Sequence, residues 1–519
     1  LATPSYTTGL TGLLLEMPST SGWTALGGGA GALNAPETDV FIQGANCIDK
    51  GYWSSAIKGM IYNMGSDQAI PADNALYIWF QYTAPPSLDT EANGGIRVII
   101  GSGTGDYNYW YVKGKDTYTY GGWFCAVVDP TITPDSAVGS PTGAHQYFGG
   151  VANLPGDGPS KGYPWCIDAF RYGRDFYIGN GEDGDEATFA GAAATNDLSG
   201  NRYGQFQAID GGYLMQCRLV IGTATSAVYF EDANTQVIIA NTKRVCADFN
   251  KLEVNNASSY VSWTAISFLA LGTVSRGDFE AVDDADINID SCTFTDMGTF
   301  LFKSNSAIDN TTFRRCGQVT QNSAEFGGCI FANSYAAIAL CANDPSKLTD
   351  CSWTSTGTGH GIEFTTTGEY TFNGNSFSNY GADETTDAAI YNNSGGLITL
   401  NIGGGGDGSP TVRNGSGAST VLCAGLVTLT LTNVFSGSDV RIFDQAGPPP
   451  NILASADPFT AAGSTGNFEY SYTYSPDTYV DVVIHKEDKQ WYFINDYLLG
   501  NADASIPISQ LTDRQYTNP

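Results

Sequence analysis

The sequence predicts an all-β protein in three parts: an N-terminal antiparallel β-sandwich, a central parallel β-helix (solenoid) and a small C-terminal β domain. Three observations predict it. A short phrase centred on an aromatic residue recurs between about residues 211 and 422. The segments between its copies alternate apolar and polar residues. The composition is rich in turn formers and rings, with 63 Gly and 12% aromatics against only 15% charged residues. That balance is too apolar for a disordered chain.

The phrase runs Cys292-Thr293-Phe294-Thr295-Asp296-Met297-Gly298 and returns around Phe313, Trp353 and Phe377, each followed four residues later by Gly. The four aromatics lie 19, 40 and 24 residues apart. The interval of 40 reads as two rungs of about 20, a solenoid period. A second phrase places an Asn-Ser corner after an aromatic, at Asn305-Ser306, Asn333-Ser334 and Asn393-Ser394. Both residue types satisfy nearby backbone groups, and Asn tolerates the left-handed region. Asp284 to Asp290 alternates with period two, the signature of a strand. Such rungs are stable only when stacked on one another. An ordinary sandwich would need no repeating phrase.

Taken in order, residues 1–35 are expected to form a flexible arm around Gly27-Gly28-Gly29-Ala30-Gly31-Ala32. These glycines are not a nucleotide loop, because no strand precedes them and no helix follows. Residues 36–206 carry longer aromatic strands, among them Ala75 to Tyr82, Ile96 to Ile100, Tyr107 to Val112 and Trp123 to Val128. Gly and Pro clusters separate them, as in an antiparallel sandwich. The run from Ile167 to Gly173 resembles a late strand of concanavalin-like and laminin-G-like sandwiches. Residues 207–424 are read as the solenoid. From 425 to 519 a small β domain follows, with Val427, Leu429 and Leu431 alternating with threonines, and Pro448-Pro449-Pro450 forming a stiff loop. It is placed to cover an open solenoid end. The tail from Ile506 through Tyr516 reads as extended and suited to pairing with a neighbouring chain.

Few residues point to chemistry. Tyr107, Tyr109, Trp110 and Tyr111 would stack on sugar faces if exposed, but the simpler reading is core and cross-strand pairs. The loop Asn180-Gly181-Glu182-Asp183-Gly184-Asp185-Glu186 holds four carboxylates, yet it lacks the spacing of a calcium loop and reads as a solvated turn. The run Asp283 to Asp286 likewise lacks that spacing and reads as the outward face of a strand. Asp296, Asp309, Glu325, Asp350 and Glu363 are candidates for the paired carboxylates of a glycan hydrolase, which need a defined separation. Arg314 and Arg315 are adjacent and would face opposite sides of a strand. His145, His360 and His485 are far apart in sequence with no partner motif. No catalytic residue, cofactor or metal ligand is assigned.

The totals exclude several roles. With 23 Lys and Arg against 53 Asp and Glu, the net charge is -30. Such a surface repels nucleic acid and anionic membrane. The 11 cysteines form no CxxC pair. They read mostly as buried thiols of a protein folded in a reducing cytoplasm, with room for one or two bridges between neighbouring rungs. No apolar run is long enough for a membrane helix. No signal peptide is visible, and the start at Leu1 reads as processed or incomplete.

The block from Val261-Ser262-Trp263-Thr264 to Gly272-Thr273 carries a family likeness, together with Ser291 to Met297, Thr312 to Val319, Ala389 to Gly396 and Thr512-Asp513-Arg514-Gln515-Tyr516. Over about residues 190–519 it resembles uncharacterised bacteriophage virion proteins, marine ones in particular. The resemblance implies a right-handed parallel β-helix in a virion component, assembled in the bacterial cytoplasm and associated with other virion proteins. It brings no catalytic residues. By analogy with phage fibres a homotrimer is expected. The leading expectation is a fibre or spike appendage that presents the sandwich to a host-surface glycan. A capsid decoration or head-fibre protein and a tail-spike glycan depolymerase are the alternatives.

Overall fold

The computed structural model describes residues 3–27, 33–34, 36–50, 57–153, 165–198, 201–240, 244–282, 284–381, 386–424, 426–445, 450–473, 478–500 and 503–513. The chain is all-β. Among these residues one α-helix, Phe189–Asn196, accompanies many short strands. Two compact units divide it, Leu1–Ser306 and Ala307–Pro519.

The first unit opens with two antiparallel sheets. One orders its strands Ser136–Val138, Asp106–Lys113, Ile96–Gly103, Tyr147–Asn153, Ile57–Asn63 and Trp23–Leu26. The other runs Thr11–Leu14, Trp165–Gly173, Ala75–Tyr82 and Phe124–Val128. Alternate residues of both sheets meet in one apolar cluster, with Val98, Trp110 and Phe148 from the first and Ile78, Phe80 and Ile167 from the second. Phe80 stacks on Trp165 at 5.7 Å. Gly150 must be glycine here, because a Cβ would strike both rings.

The expected flexible arm is ordered where it is described. Ser5–Thr8 pairs with Asp175–Gly179, Thr11–Leu14 with Trp165–Gly173, and Trp23–Leu26 with Ile57–Asn63. Trp23 explains the difference, since its ring packs on Tyr62 at 5.3 Å and Phe170 at 5.8 Å. An aromatic anchor of that size offsets the entropy of ordering a short segment. The Gly28 to Ala32 run, Asp283 and Pro448-Pro449 lie outside the described residues.

The same unit then changes to parallel pairing. One ladder stacks Asp175–Gly179, Arg218–Ile221, Lys251–Val254, Asp278–Ala281 and Phe300–Leu301. Its first strand precedes residue 207, where the solenoid was expected to begin. A second ladder stacks Tyr229–Ala233, Tyr260–Thr264 and Asp286–Asp290. A third stacks Gly212–Met215, Gln236–Ile239, Ser267–Ala270 and Thr293–Thr295. The helix Phe189–Asn196 packs Phe189 against Phe206, Phe230 and Trp263 at 4.9 to 5.8 Å. Its buried Ala192 and Ala193 allow close approach.

The second unit repeats the parallel pattern. Thr312–Arg314, Ile330–Ala332, Ser352–Thr354 and Ser376–Ser378 form one ladder in register. Phe313, Phe331, Trp353 and Phe377 stack along it, each 5.1 Å from the next. Phe331 thus fills the interval of 40 residues between Phe313 and Trp353. Another ladder holds Val319–Thr320, Ile338–Ala342, His360–Phe364, Ile390–Asn392 and Val412–Asn414.

The corners obey a local rule. The residue two before each of these ladder aromatics, and before Phe294 in the first unit, is buried: Cys292, Thr311, Cys329, Cys351 and Asn375. The residue before it has left-handed backbone: Ser291, Asn310, Gly328, Asp350 and Gly374 at φ 49° to 69°. The buried side chain then donates to a carbonyl at the bend. Cys292 Sγ reaches Trp263 O at 3.4 Å, Thr311 Oγ1 reaches Asp309 O at 2.8 Å, and Asn375 Nδ2 reaches Leu348 O at 2.7 Å. Small donors are what a tight buried corner needs, since an unpaired carbonyl there is costly. All 11 cysteines are unbridged, and eight of them are buried.

The chain closes on antiparallel sheets. Leu426–Phe435 pairs with Thr465–Thr473, and Asp439–Asp444 lies between Ile452–Ala456 and Tyr479–His485, with Tyr492–Leu498 beyond. Val427, Leu429 and Leu431 face their core as the alternation predicts. At the start of the expected tail, Ala504–Pro507 runs beside Leu426–Phe435 in its own unit, and Ile508 is buried. An apolar Ile at that position closes the core. Arg514 to Tyr516 lie outside the described residues.

Candidate functional site

The five candidate carboxylates fall in both units, Asp296 in the first and Asp309, Glu325, Asp350 and Glu363 in the second. Asp296 and Asp350 are left-handed corner residues, at φ 57° and 55°. Asp tolerates that conformation better than most residues, which accounts for both. In the second unit Asp309 and Glu325 sit on paired strands. Glu325 is largely exposed and faces Lys347 Nζ at 3.4 Å. Glu363 lies on a different ladder and accepts from Asn393 Nδ2 at 2.7 Å. Arg315 is another corner, at φ 49°, beside exposed Arg314 at a strand end.

The histidines divide. The backbone N–H of His145 is held by Asp67 Oδ1 at 2.6 Å, and His485 stacks on Trp491 at 4.2 Å. His360 is buried in a built cluster. Its Nδ1 lies 3.0 Å from Ala388 O and its Nε2 lies 3.0 Å from Arg413 Nη1. A carbonyl can only accept and a guanidinium can only donate, so Nδ1 carries the proton and the ring is neutral. Burial lowers the pKa of His360, reinforced by the Arg413 charge and opposed by the Ala388 carbonyl. Arg413 also lies 4.3 Å over the Tyr391 ring. Arg174, Arg218 and Arg244 face carboxylates, whereas Arg413 leans on a histidine and a tyrosine.

In the first unit the tyrosine-rich strand divides by face. Trp110 enters the shared core, as the simpler reading expected. Tyr107 and Tyr109 cover Ile61, Ile99 and Val151 on the opposite face. There Tyr109 and Tyr111 stack at 5.8 Å, with the Arg97 guanidinium 4.9 Å and 5.3 Å from their centroids. All three tyrosines are half-buried. The loop from Asn180 to Glu186 is a closed turn, in which Glu182 and Asp185 exchange two backbone hydrogen bonds and Glu186 Oε1 accepts from Gly184 N. Among the described residues no group of three or more metal-ligating side chains forms.

A half-open cavity of about 200 Å³ lies in this unit. The strand Asp106–Lys113 supplies Tyr111 and Lys113, and Phe124–Val128 supplies Phe124 and Val127. Leu214, Leu271 and Arg244 close it from the parallel ladders and their connections. Arg244 is positioned tightly. Its Nη2 meets Asp135 Oδ1 at 2.7 Å and its Nε donates to Tyr111 O at 3.2 Å. Asp135 Oδ2 in turn accepts from Tyr111 N at 2.7 Å. Thr117 Oγ1 donates to Glu91 Oε2 at 2.9 Å on another wall. Sequence reasoning missed Arg244, Lys113, Thr117 and Glu91 as partners, because they come from four separated segments with no shared motif. The scarcity of cations was the available signal.

Among the described residues no helix is long and apolar enough to cross a membrane. No protein family and no curated protein matches the chain. Two solved structures are similar in part. The K1 cleaved adhesin domain of Lys-gingipain from Porphyromonas gingivalis W83 is 9% identical, covering 33% of this chain and 98% of its own, at a TM-score of 0.16. The catalytic unit of a GH87 alpha-1,3-glucanase from Streptomyces thermodiastaticus strain HF3-3 is also 9% identical, covering 79% and 97%, at a TM-score of 0.17. At such scores neither supports an inference about fold or activity.

Proposed function

We propose that this chain is a structural protein of a bacteriophage particle, a fibre- or spike-type appendage that presents an antiparallel β-sandwich for host-surface binding. In this reading the parallel ladders wind into a right-handed β-helix. The observation that carries it is the corner rule. Asp296, Asp350, Cys292, Cys329, Cys351 and Arg315, the residues richest in chemistry, serve as bends and bend donors of stacked rungs. A column built this way is a rigid support for a recognition module. The resemblance of residues 190–519 to phage virion proteins supplies the setting, and the net charge of -30 suits a surface that avoids nucleic acid.

Homotrimerisation belongs to the same proposal. Trp491 and Phe493 are more than half exposed and stack on each other at 5.9 Å, with His485 on Trp491. Leu498 and Ile452 are exposed at the two outer strands of the same sheet. Apolar surface of this kind favours contact with other subunits. The test is location. Gold-labelled antibody against residues 36–206 should mark tail or fibre tips on intact virions. Label spread over the head would favour a decoration or head-fibre protein. Absence of the chain from virion proteomes would overturn the proposal.

A further inference from the structure

We propose that the cavity between Tyr111, Lys113, Phe124, Leu214, Arg244 and Leu271 binds one neutral pyranose residue of a surface polysaccharide. This rests on the reading of the first antiparallel module as the recognition module. Three features of the cavity select that ligand class.

The first is charge. Lys113 and Glu91 both line the cavity. Arg244 faces Asp135 at 2.7 Å. Arg244 is thus paired with an acid and Lys113 shares the lining with one, so the site offers little excess charge to a carboxylated or sulfated sugar. In a chain with 53 acidic residues against 23 basic ones, a site for an anion would need uncompensated cations.

The second is the mixture of surfaces. A pyranose has an apolar C–H face and a rim of hydroxyls that both donate and accept. The cavity offers apolar walls in Phe124, Leu214 and Leu271, and around them ammonium and guanidinium donors and a carboxylate acceptor. Polar groups fixed by the fold orient a ligand at low entropic cost. Arg244 meets that condition, since Asp135 and the Tyr111 carbonyl both hold its guanidinium.

The third is size. About 200 Å³ is below the range of roughly 300–1,000 Å³ typical of drug-sized sites. It suits one sugar ring, with the rest of a glycan continuing into solvent. Leu271 lines the cavity and is 55% exposed, which puts it at the rim.

The experiment uses the full chain and a panel of methyl glycosides, neutral and acidic, read by saturation-transfer NMR and calorimetry. We expect saturation transfer to at least one neutral glycoside, with a dissociation constant on the order of 1 mM. Leu271→Trp, a change at an exposed rim position, should weaken binding at least about tenfold by filling the cavity. Lys113→Met should weaken it less, and Tyr335→Ala, at an exposed ring of the second unit, should leave it unchanged. Binding of acidic glycosides alone, binding indifferent to Leu271→Trp, or no transfer to any neutral glycoside would overturn the inference. Fluorescently labelled chain applied to host cells separates the two readings. Cell binding without glycoside binding defeats the cavity alone, and absence of both defeats the recognition module as well.

Discussion

Asp168 shows how a buried carboxylate makes the stability of the first unit depend on pH. It is fully buried, and its carboxylate accepts from the backbone N–H groups of Ile42, Gln43 and Ala169 at 2.6, 3.0 and 2.8 Å. Burial pushes its carboxyl up to about 6, against the pull of those three donors and of Arg171. The ordinary value is 3.8, so the folded state holds this proton more firmly than the unfolded state between the two values. The contribution to stability is therefore greatest below about pH 4 and is lost as pH rises through about 6. Its size is on the order of 2–3 kcal/mol. Denaturant unfolding followed by tryptophan fluorescence from pH 4 to 7 checks it: the parent should lose stability relative to Asp168→Asn as pH rises across that window. The strand around Asp168 was legible in the sequence as an apolar run. The acid and Arg171 within it were the visible irregularity, but their partners Gln43 and Ile42 lie more than a hundred residues away, where no local pattern reaches.

At the scale of the element, the rung of the second unit is defined by its corner and its ring. A catalytic carboxylate and a corner carboxylate respond oppositely to substitution, and Asp350 is a corner. Asp350→Asn and Asp350→Gly should keep stability within about 1 kcal/mol of the parent, while Asp350→Val should cost about 2 kcal/mol because a β-branched residue resists the left-handed region. Thermal unfolding of the three variants decides this. Trp353 stacks between Phe331 and Phe377 at 5.1 Å on either side and is fully buried. Trp353→Ala should cost about 3–5 kcal/mol, visible in a denaturation midpoint. The ring positions were readable from sequence because a parallel register puts like residues above one another. The corner donors were half readable: Cys, Thr and Asn opened the repeated phrase, but their shared role appears only when the left-handed residue before each is known. The segments from Ser5 to Leu26 were misread because flexibility was judged from small residues, while pairing was decided by Trp23 and by strands far along the chain.

At the scale of the whole molecule, the homotrimer proposed above is tested at the exposed Trp491 and Phe493. Light scattering coupled to size exclusion should give three times the monomer mass for the parent, and the paired change Trp491→Lys with Phe493→Lys should shift it toward monomer without loss of strand content by circular dichroism. The ladders have a further consequence. In the parallel ladder of the second unit each inner strand pairs with the strand before it and the strand after it, with Phe331 and Trp353 standing in equivalent places 22 residues apart. Nothing in such a stack refers to the total number of turns. The chain is in this respect a ruler whose smallest division is a segment of about 20 residues and about 4.8 Å, the spacing of neighbouring strands. Duplicating residues 329–350 in tandem should give a folded protein longer by one division. Over evolutionary time, a ladder of this kind can gain or lose whole segments without disturbing the strands on either side.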